Sequence, residues 1–180
     1  CAGIGGMRKG FELTGAFQNV IAAEIDHFAC LTYARLFGED AFNDLTSDEF
    51  KSKLDLIPYD VLLAGFPCQT FSKAGQEEGF NDKEKGIIFG HIADIICRTR
   101  PRAVFLENVD NLVRHDKGNT FRIIIETLES RLDYKVVGVT YDIMGRPVYN
   151  GKDFVRNSRN FGIPQNRPRT YIMAFDRKRY

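Results

Sequence analysis

The sequence predicts an α/β fold on a mainly parallel sheet, and three observations lead there. Short apolar runs rich in branched residues, Val61-Leu62-Leu63-Ala64 and Ala103-Val104-Phe105-Leu106, read as buried strands. Between and after them stand helical patterns, Ile88, Ile92, Ile95, Ile96 and then Phe121, Ile124, Ile125, Leu128, Leu132. A glycine-rich turn, Gly3-Ile4-Gly5-Gly6, runs straight into a helix, as in nucleotide-binding βαβ units. Strands alternating with helices, without an internal repeat, place the helices over the sheet faces.

Composition agrees with one globular domain. The chain has 180 residues, 43% hydrophobic and 27% charged, which excludes disorder and leaves enough apolar material for a core. No stretch approaches the ~20 apolar residues that span a bilayer, so no membrane partner is expected. Cysteines 1, 30, 68 and 97 form no CxxC pair and have no histidine at ligand spacing, which argues against a metal site. Their wide spacing also argues against a disulfide scaffold and for a reduced, cytoplasmic compartment. The chain opens in mid-motif at Cys1-Ala2-Gly3 and stops at Arg177-Lys178-Arg179-Tyr180, so both ends read as cut from a longer protein. Charge is uneven: residues 144–180 hold nine basic against two acidic residues, while residues 1–143 hold 16 against 22. A basic tail on an acidic body points to a polyanionic partner.

Element by element, Met7 and Phe11 mark the first helix, and Phe17 to Ile25 reads as a strand ending in Glu24 and Asp26. His27 to Leu36 is a short helix. Thr46-Ser47-Asp48-Glu49 has the capping-box pattern and starts a helix carrying Phe50 and Leu54. After the strand from Val61, residues 70–86 form a long polar loop with Gly75, Gly79 and Gly86 as hinges, a length more often functional than filler. Pro101 ends the isoleucine-rich helix, and Asn119 is placed to cap the next one. Lys135 to Asp142 and Arg169 to Phe175 complete the strands.

Polar residues then gather where the strands end. Gly65-Phe66-Pro67-Cys68 breaks the strand from Val61 and leaves Cys68 at the sheet rim, on a turn stiffened by Pro67. In open α/β sheets ligands collect at the carboxyl ends of the strands. Glu24 lies 21 residues after Gly3, near the offset of about 20 at which an acid meets a ribose hydroxyl. Glu107-Asn108 closes the strand from Ala103, and Gln165-Asn166-Arg167-Pro168-Arg169 leads into the last one. Singly, each has an ordinary structural explanation: a tight turn, a buried cysteine, a capped strand end. Their joint order is far harder to obtain by accident.

Taken together, these motifs resemble the cytosine-C5 DNA methyltransferases of bacterial type. Ala2-Gly3-Ile4-Gly5-Gly6 is similar to the family's cofactor glycine motif, Glu24-Ile25 to its ribose-binding acid and neighbour, and Asp44-Leu45 to the pair that reads adenine. Gly65-Phe66-Pro67-Cys68-Gln69 resembles the Pro-Cys nucleophile motif, Glu107-Asn108-Val109 the acid motif, and Gln165 to Arg169 the Gln-x-Arg-x-Arg motif. The resemblance implies a Rossmann-like, S-adenosylmethionine-dependent methyltransferase sheet, mainly parallel, with its first strand truncated. It also implies a partial catalytic domain over residues 1–180, with the target-recognition region absent. Gly3, Ile4, Gly5, Gly6, Glu24, Ile25, Asp44, Leu45 and Pro67 are then the cofactor-binding set, and Cys68, Glu107, Arg167 and Arg169 the catalytic set.

Those residue types suit the chemistry. C5 of cytosine is a poor nucleophile until a group adds at C6, and thiolate is the side chain best suited to reversible addition. Glu107, at the end of an apolar strand, is expected to be protonated and to face N3 of the base. Arg169, with Arg167, is expected to hold the base oxygen and orient Glu107. A stacked base is out of reach, so the cytosine must be flipped, with loop 70–86 closing over it.

The implied partner is double-stranded DNA, with a cognate restriction endonuclease or a complementing chain beside it. The family's usual Phe is replaced here by Cys1, and residues 138–156 read as an insertion before Asn157 to Gly162. Two alternatives remain at this point: an RNA (tRNA) cytosine-C5 methyltransferase of the same fold, and a non-catalytic domain that only binds nucleic acid or a partner.

Overall fold

The computed structural model describes residues 1–67 and 88–180. Its organising element is β2 (Ala103–Val109), paired on both edges. On one side β1 (Val61–Gly65) runs parallel, with Gly65 level with Glu107. On the other, β7 (Pro168–Asp176) runs antiparallel, with Tyr171 opposite Glu107 and Arg169 opposite Val109. The far edge of β7 is shared by two short antiparallel strands, β6 (Val155–Asn157) at its start and β3 (Tyr134–Val136) at its end.

This sheet is mixed, and the expectation of a mainly parallel one needs correction. Among the described strands only β1 and β2 form a parallel ladder, besides one parallel bridge between Glu24 and Phe42. The periodicity of an apolar run marks a strand but not its direction. Here the loop 158–167 turns the chain back from β6 into β7, and β7 runs antiparallel to β6, β3 and β2 alike. Residues 17–25 form no ladder strand. Near their end the Glu24 N–H donates to Ala41 O at 2.8 Å and the Asn43 N–H to Glu24 O at 3.2 Å.

Among the described residues five α-helices flank the sheet: α1 (Gly6–Glu12), α2 (His27–Phe37), α3 (Asp48–Asp55), α4 (Ile88–Thr99) and α5 (Asn119–Glu126). Val104, Leu106, Ile172 and Ala174 share one sheet face and are buried in a single cluster with Phe89, Ile92 and Ile96 of α4 and Phe121, Ile124 and Ile125 of α5. The opposite face carries Phe105, Glu107, Tyr171 and Met173 and is only partly covered, with Phe11 of α1 edge-on to Phe105 at a centroid distance of 5.4 Å. The site lies at the end of that thinner face.

Local chemistry sets several boundaries differently from the sequence pattern. Ser47, not Thr46, caps α3 by accepting from the Phe50 N–H at 3.2 Å, while the Thr46 hydroxyl donates to Asp44. Gly118 occupies the N-cap of α5 in the left-handed region, so Asn119 lies inside the helix. After α5 the chain continues in a π-helical turn, Thr127–Arg131. The expected strand from Lys135 to Asp142 breaks at Gly138, whose φ of 87° reverses the backbone. It resumes as a small hairpin of β4 (Thr140–Tyr141) and β5 (Pro147–Val148). Buried Glu129 ties this edge down by accepting from the Val136 N–H at 2.7 Å and from Tyr141 and Arg177.

Between residues 16–23 and 58–64 lies a cavity of about 330 Å³, with Phe50, Leu54, Ile92 and Ile95 also in its lining. Cys1 and Ala2 close one end: the Ala2 N–H donates to Ala23 O at 2.9 Å, and Cys1 O accepts from the Gly65 N–H at 3.3 Å. Among the described residues no helix is long and apolar enough to cross a membrane, and no group of side chains forms a metal site.

Because Leu106 is 1% exposed at the centre of the sheet, Leu106→Ala is expected to cost about 3 kcal/mol in urea unfolding. Leu56→Ala, at a position 84% exposed, should shift the curve by less than about 0.5 kcal/mol.

Candidate active site

The glycine turn is shaped by two left-handed residues, Gly3 (φ 55°) and Gly5 (φ 85°), and closed by the Gly5 N–H donating to Ala2 O at 3.0 Å. At Gly5 a Cβ would stand 2.3 Å from the Phe37 ring, so only glycine fits there. Behind the turn, Arg8 lies over the Phe37 ring at 4.1 Å and donates to Glu39 at 2.7 and 2.9 Å, to Tyr33 Oη and to Glu12. That partly buried guanidinium fixes α1 against the end of α2.

Glu24 secures the front. Its Oε2 accepts from the Gly3 N–H and the Cys1 amine, both at 2.8 Å, and its Oε1 from the N–H groups of Ile25 and Asp26. Burial pushes this carboxyl up, while hydrogen bonds from the Asp26 and Gly3 N–H groups pull it down. All four acceptor directions of the carboxylate are therefore engaged within the chain.

Around Glu24 the surface is apolar and open. Ile4 is 54%, Ile25 63% and Phe42 62% exposed. Asp44 is exposed too, its carboxylate held below the usual range by the N–H and hydroxyl of Thr46. Leu45, by contrast, points into the main core. Phe42 was not singled out from the sequence. Its signal was an aromatic residue in an otherwise polar stretch, Glu39 to Asp44, which alone is too common to carry weight.

Gly65 is where this surface meets the second group of residues. A Cβ on Gly65 would lie 3.3 Å from Glu107 Oε2, 3.5 Å from Met7 Cε and 3.6 Å from Cys1 O. Glu107 Oε1 pairs with Arg169 Nε at 2.9 Å, and the two side chains are 25% and 19% exposed. Arg169 also donates to Pro168 O at 2.8 Å, which fixes its fork. Glu107 is thus a partly screened, ion-paired carboxyl inside β2, rather than a fully desolvated group beyond a strand end.

Asn108 adds a link that the sequence reading had left as a possible cap. Buried to 3% exposure, it donates from Nδ2 to Phe66 O at 2.8 Å and accepts the Val109 N–H at Oδ1. The Phe66 N–H donates to Glu107 O at 3.4 Å. The turn through Phe66 and exposed Pro67 is therefore stitched to the strand that carries Glu107. Cys68 and loop 70–86 lie outside the described residues. Arg167 is exposed and makes no contact with Glu107; its backbone N–H donates to Asn157 Oδ1 at 3.1 Å.

Comparison with known proteins gives the family. A family model, C-5 cytosine-specific DNA methylase, matches residues 1–180, and the chain belongs to that family. It is 45% identical over 177 residues to the Type II methyltransferase M1.ScrFI of Lactococcus lactis subsp. cremoris, covering 98% of this chain and 40% of that protein. It is 43% identical to the Type II methyltransferase M.Bsp6I of Bacillus sp. (strain RFL6), covering 97% of this chain and 50% of the relative. Among solved structures, the S. pombe Dnmt2 methyltransferase superposes with a TM-score of 0.66 at 18% identity, over 97% of this chain and 49% of that one. The chain thus spans two fifths to one half of the relatives it matches.

The depressed Glu24 carboxyl makes a pH prediction. The Gly3 and Asp26 N–H donors hold the folded carboxyl below the ordinary value of 4.5, so the unfolded chain binds more protons as pH falls through that value. Stability from Glu24 is complete above the ordinary value and drains as pH falls toward the folded one. In thermal melts across that range, the advantage of the native chain over Glu24→Gln should shrink steadily with acidification. A constant difference would exclude this ionisation as its source.

Proposed function

We propose that this chain carries the cofactor- and cytosine-binding machinery of an enzyme that methylates C5 of cytosine in double-stranded DNA. The observation that carries the reading is the Glu107–Arg169 pair on a strand that is hydrogen-bonded through Asn108 and Glu107 O to Phe66, next to Pro67. Family membership over the whole chain supports it. So does a Rossmann-like reading of the glycine turn, first helix and parallel β1–β2 pair. Residues 1–180 are proposed as one part of a catalytic domain, with target recognition supplied outside them. The Type II names of both relatives favour a cognate restriction endonuclease as functional partner, and the cysteine usage favours a cytoplasmic setting.

S-adenosylmethionine is the proposed cofactor, and the residues fit it. Gly3 and Gly6 have nothing within 4 Å of an added Cβ, leaving room for a ligand to approach the backbone. Exposed Ile4, Ile25 and Phe42 offer apolar area to an adenine, and Asp44 offers an acceptor beside it. Glu24 acts chiefly by holding the N–H of Gly3, which sets the turn the ligand rests on. When bound, the cofactor supplies an electrophilic methyl group on a positively charged sulfur.

The chain's own groups handle the base. The Cys68 thiolate adds to C6 of the flipped cytosine, which pushes electron density toward N3 and C5. Glu107 faces N3 and, in its protonated form, donates a hydrogen bond there that stabilises that charge, while Arg169 holds both Glu107 and the base oxygen in plane. C5 takes the methyl group, loses its proton to a base, and the C6–S bond breaks to restore the aromatic ring and the thiolate. Pro67 and Asn108 keep the turn at fixed distance from Glu107, which is how geometry contributes to rate.

The direct test uses the full-length protein with S-adenosylmethionine and duplex DNA containing 5-fluorocytosine. Fluorine at C5 cannot leave as a proton, so a covalent protein–DNA adduct should accumulate and map to Cys68. Cys68→Ala should form none while retaining cofactor affinity in calorimetry. An adduct with tRNA but not with duplex DNA would overturn the reading. Separately, Glu107→Gln should lower turnover by about 10²–10⁴-fold, the range expected for losing a positioned acid.

A further inference from the structure

Nine basic residues in the last 37 made the C-terminal part of the chain look uniformly cationic. The folded chain sorts them. Arg146 pairs with Asp142, Arg169 with Glu107, Arg177 with Glu129 and Asp133, and Arg179 with Asp176. Arg156, Arg159 and Arg167 have no carboxylate partner among the described residues, and all three are exposed.

These three sit on one built structure beside the catalytic end of the sheet. Arg156 lies directly opposite Arg169 in the β6–β7 ladder. The loop that follows is clasped by Asn157, whose Oδ1 accepts the backbone N–H groups of both Arg159 (3.3 Å) and Arg167 (3.1 Å). The Ser158 hydroxyl donates to Gln165 O at 2.6 Å, and Asn157 Nδ2 to Asn166 Oδ1 at 2.7 Å. Four arginines are thus gathered on one short hairpin with a single carboxylate among them. Guanidinium groups are the side chains best matched to phosphate oxygens.

We propose that this clasped hairpin, residues 156–167, is a docking surface for the sugar–phosphate backbone of duplex DNA beside the target cytosine. Arg156 and Arg159 contact phosphates, and Arg167 extends the strip toward Glu107 and Arg169. The inference rests on the DNA-methylating function proposed above, but its test needs no chemistry.

Binding of full-length protein to a fluorescent duplex is measured by anisotropy from about 50 to about 200 mM salt, where affinity falls with the number of phosphates contacted. For the double variant Arg156→Gln/Arg159→Gln the slope of log K against log salt should become shallower by about 1.8, from ~0.9 per phosphate lost. Lys178→Gln, at the opposite end of β7, should leave the slope unchanged. Unaltered S-adenosylmethionine binding in both variants shows that the fold is intact. A wild-type slope in the double variant overturns the proposal, as does an equal change in Lys178→Gln. A slope change on duplex RNA without one on duplex DNA also overturns it, and so does wild-type protein with no salt-dependent binding. Loss of the 5-fluorocytosine adduct with this slope change intact would instead count against the catalytic reading alone.

Discussion

Pairing β2 on both edges is the constraint that the rest of this structure depends on. A strand with neighbours on each side has its register set twice, and a slip by one residue would move every side chain to the wrong face. Register brings Gly65 level with Glu107 on one side and Tyr171 level with it on the other. Glu107 is thereby delivered to a single place, between the glycine turn at Cys1 and Met7 and the guanidinium of Arg169. Glu107, Arg169 and Asn108 are bonded within that arrangement rather than to a free loop.

The two sheet faces divide the work between stability and function. One face holds Val104, Leu106, Ile172 and Ala174 under the helices, and its burial supplies the hydrophobic driving force. The other is thinly covered, so Glu107 and Arg169 keep partial access to solvent while the backbone beneath them stays rigid. Asn108 belongs to the buried face, yet it reaches Phe66 and transfers that rigidity to the turn. A polar residue with 3% exposure is stable there because both ends of its amide are bonded.

Much of the site was legible because its parts have strong local signatures. Gly5 is required by a positive φ and by the Phe37 ring, and such constraints leave glycine as the residue to read. Glu24 was found by its offset from Gly3, although its carboxylate turns out to serve four N–H donors of the chain itself. Asp44 and Leu45 were read as a pair, but only Asp44 faces outward. Arg167 and Arg169 were read together as well. Two residues apart in a strand they would share a face, yet the strand begins only at Pro168, and Arg167 belongs to the loop.

The amino-acid order by itself determined the α/β class, the positions of the buried strands and helices, and the motif series that ends in the methylase family. Those follow from periodicity and from short-range backbone requirements, which neighbouring residues carry. Strand direction, the mixed sheet, the partnership of Asn108 with Phe66 and the sorting of paired from unpaired arginines were decided only by the tertiary structure. Each depends on contacts between residues tens of positions apart, such as Arg169 with Glu107 or Arg177 with Glu129. No local pattern encodes a contact of that kind, because its energy exists only once the sheet has brought the two segments together.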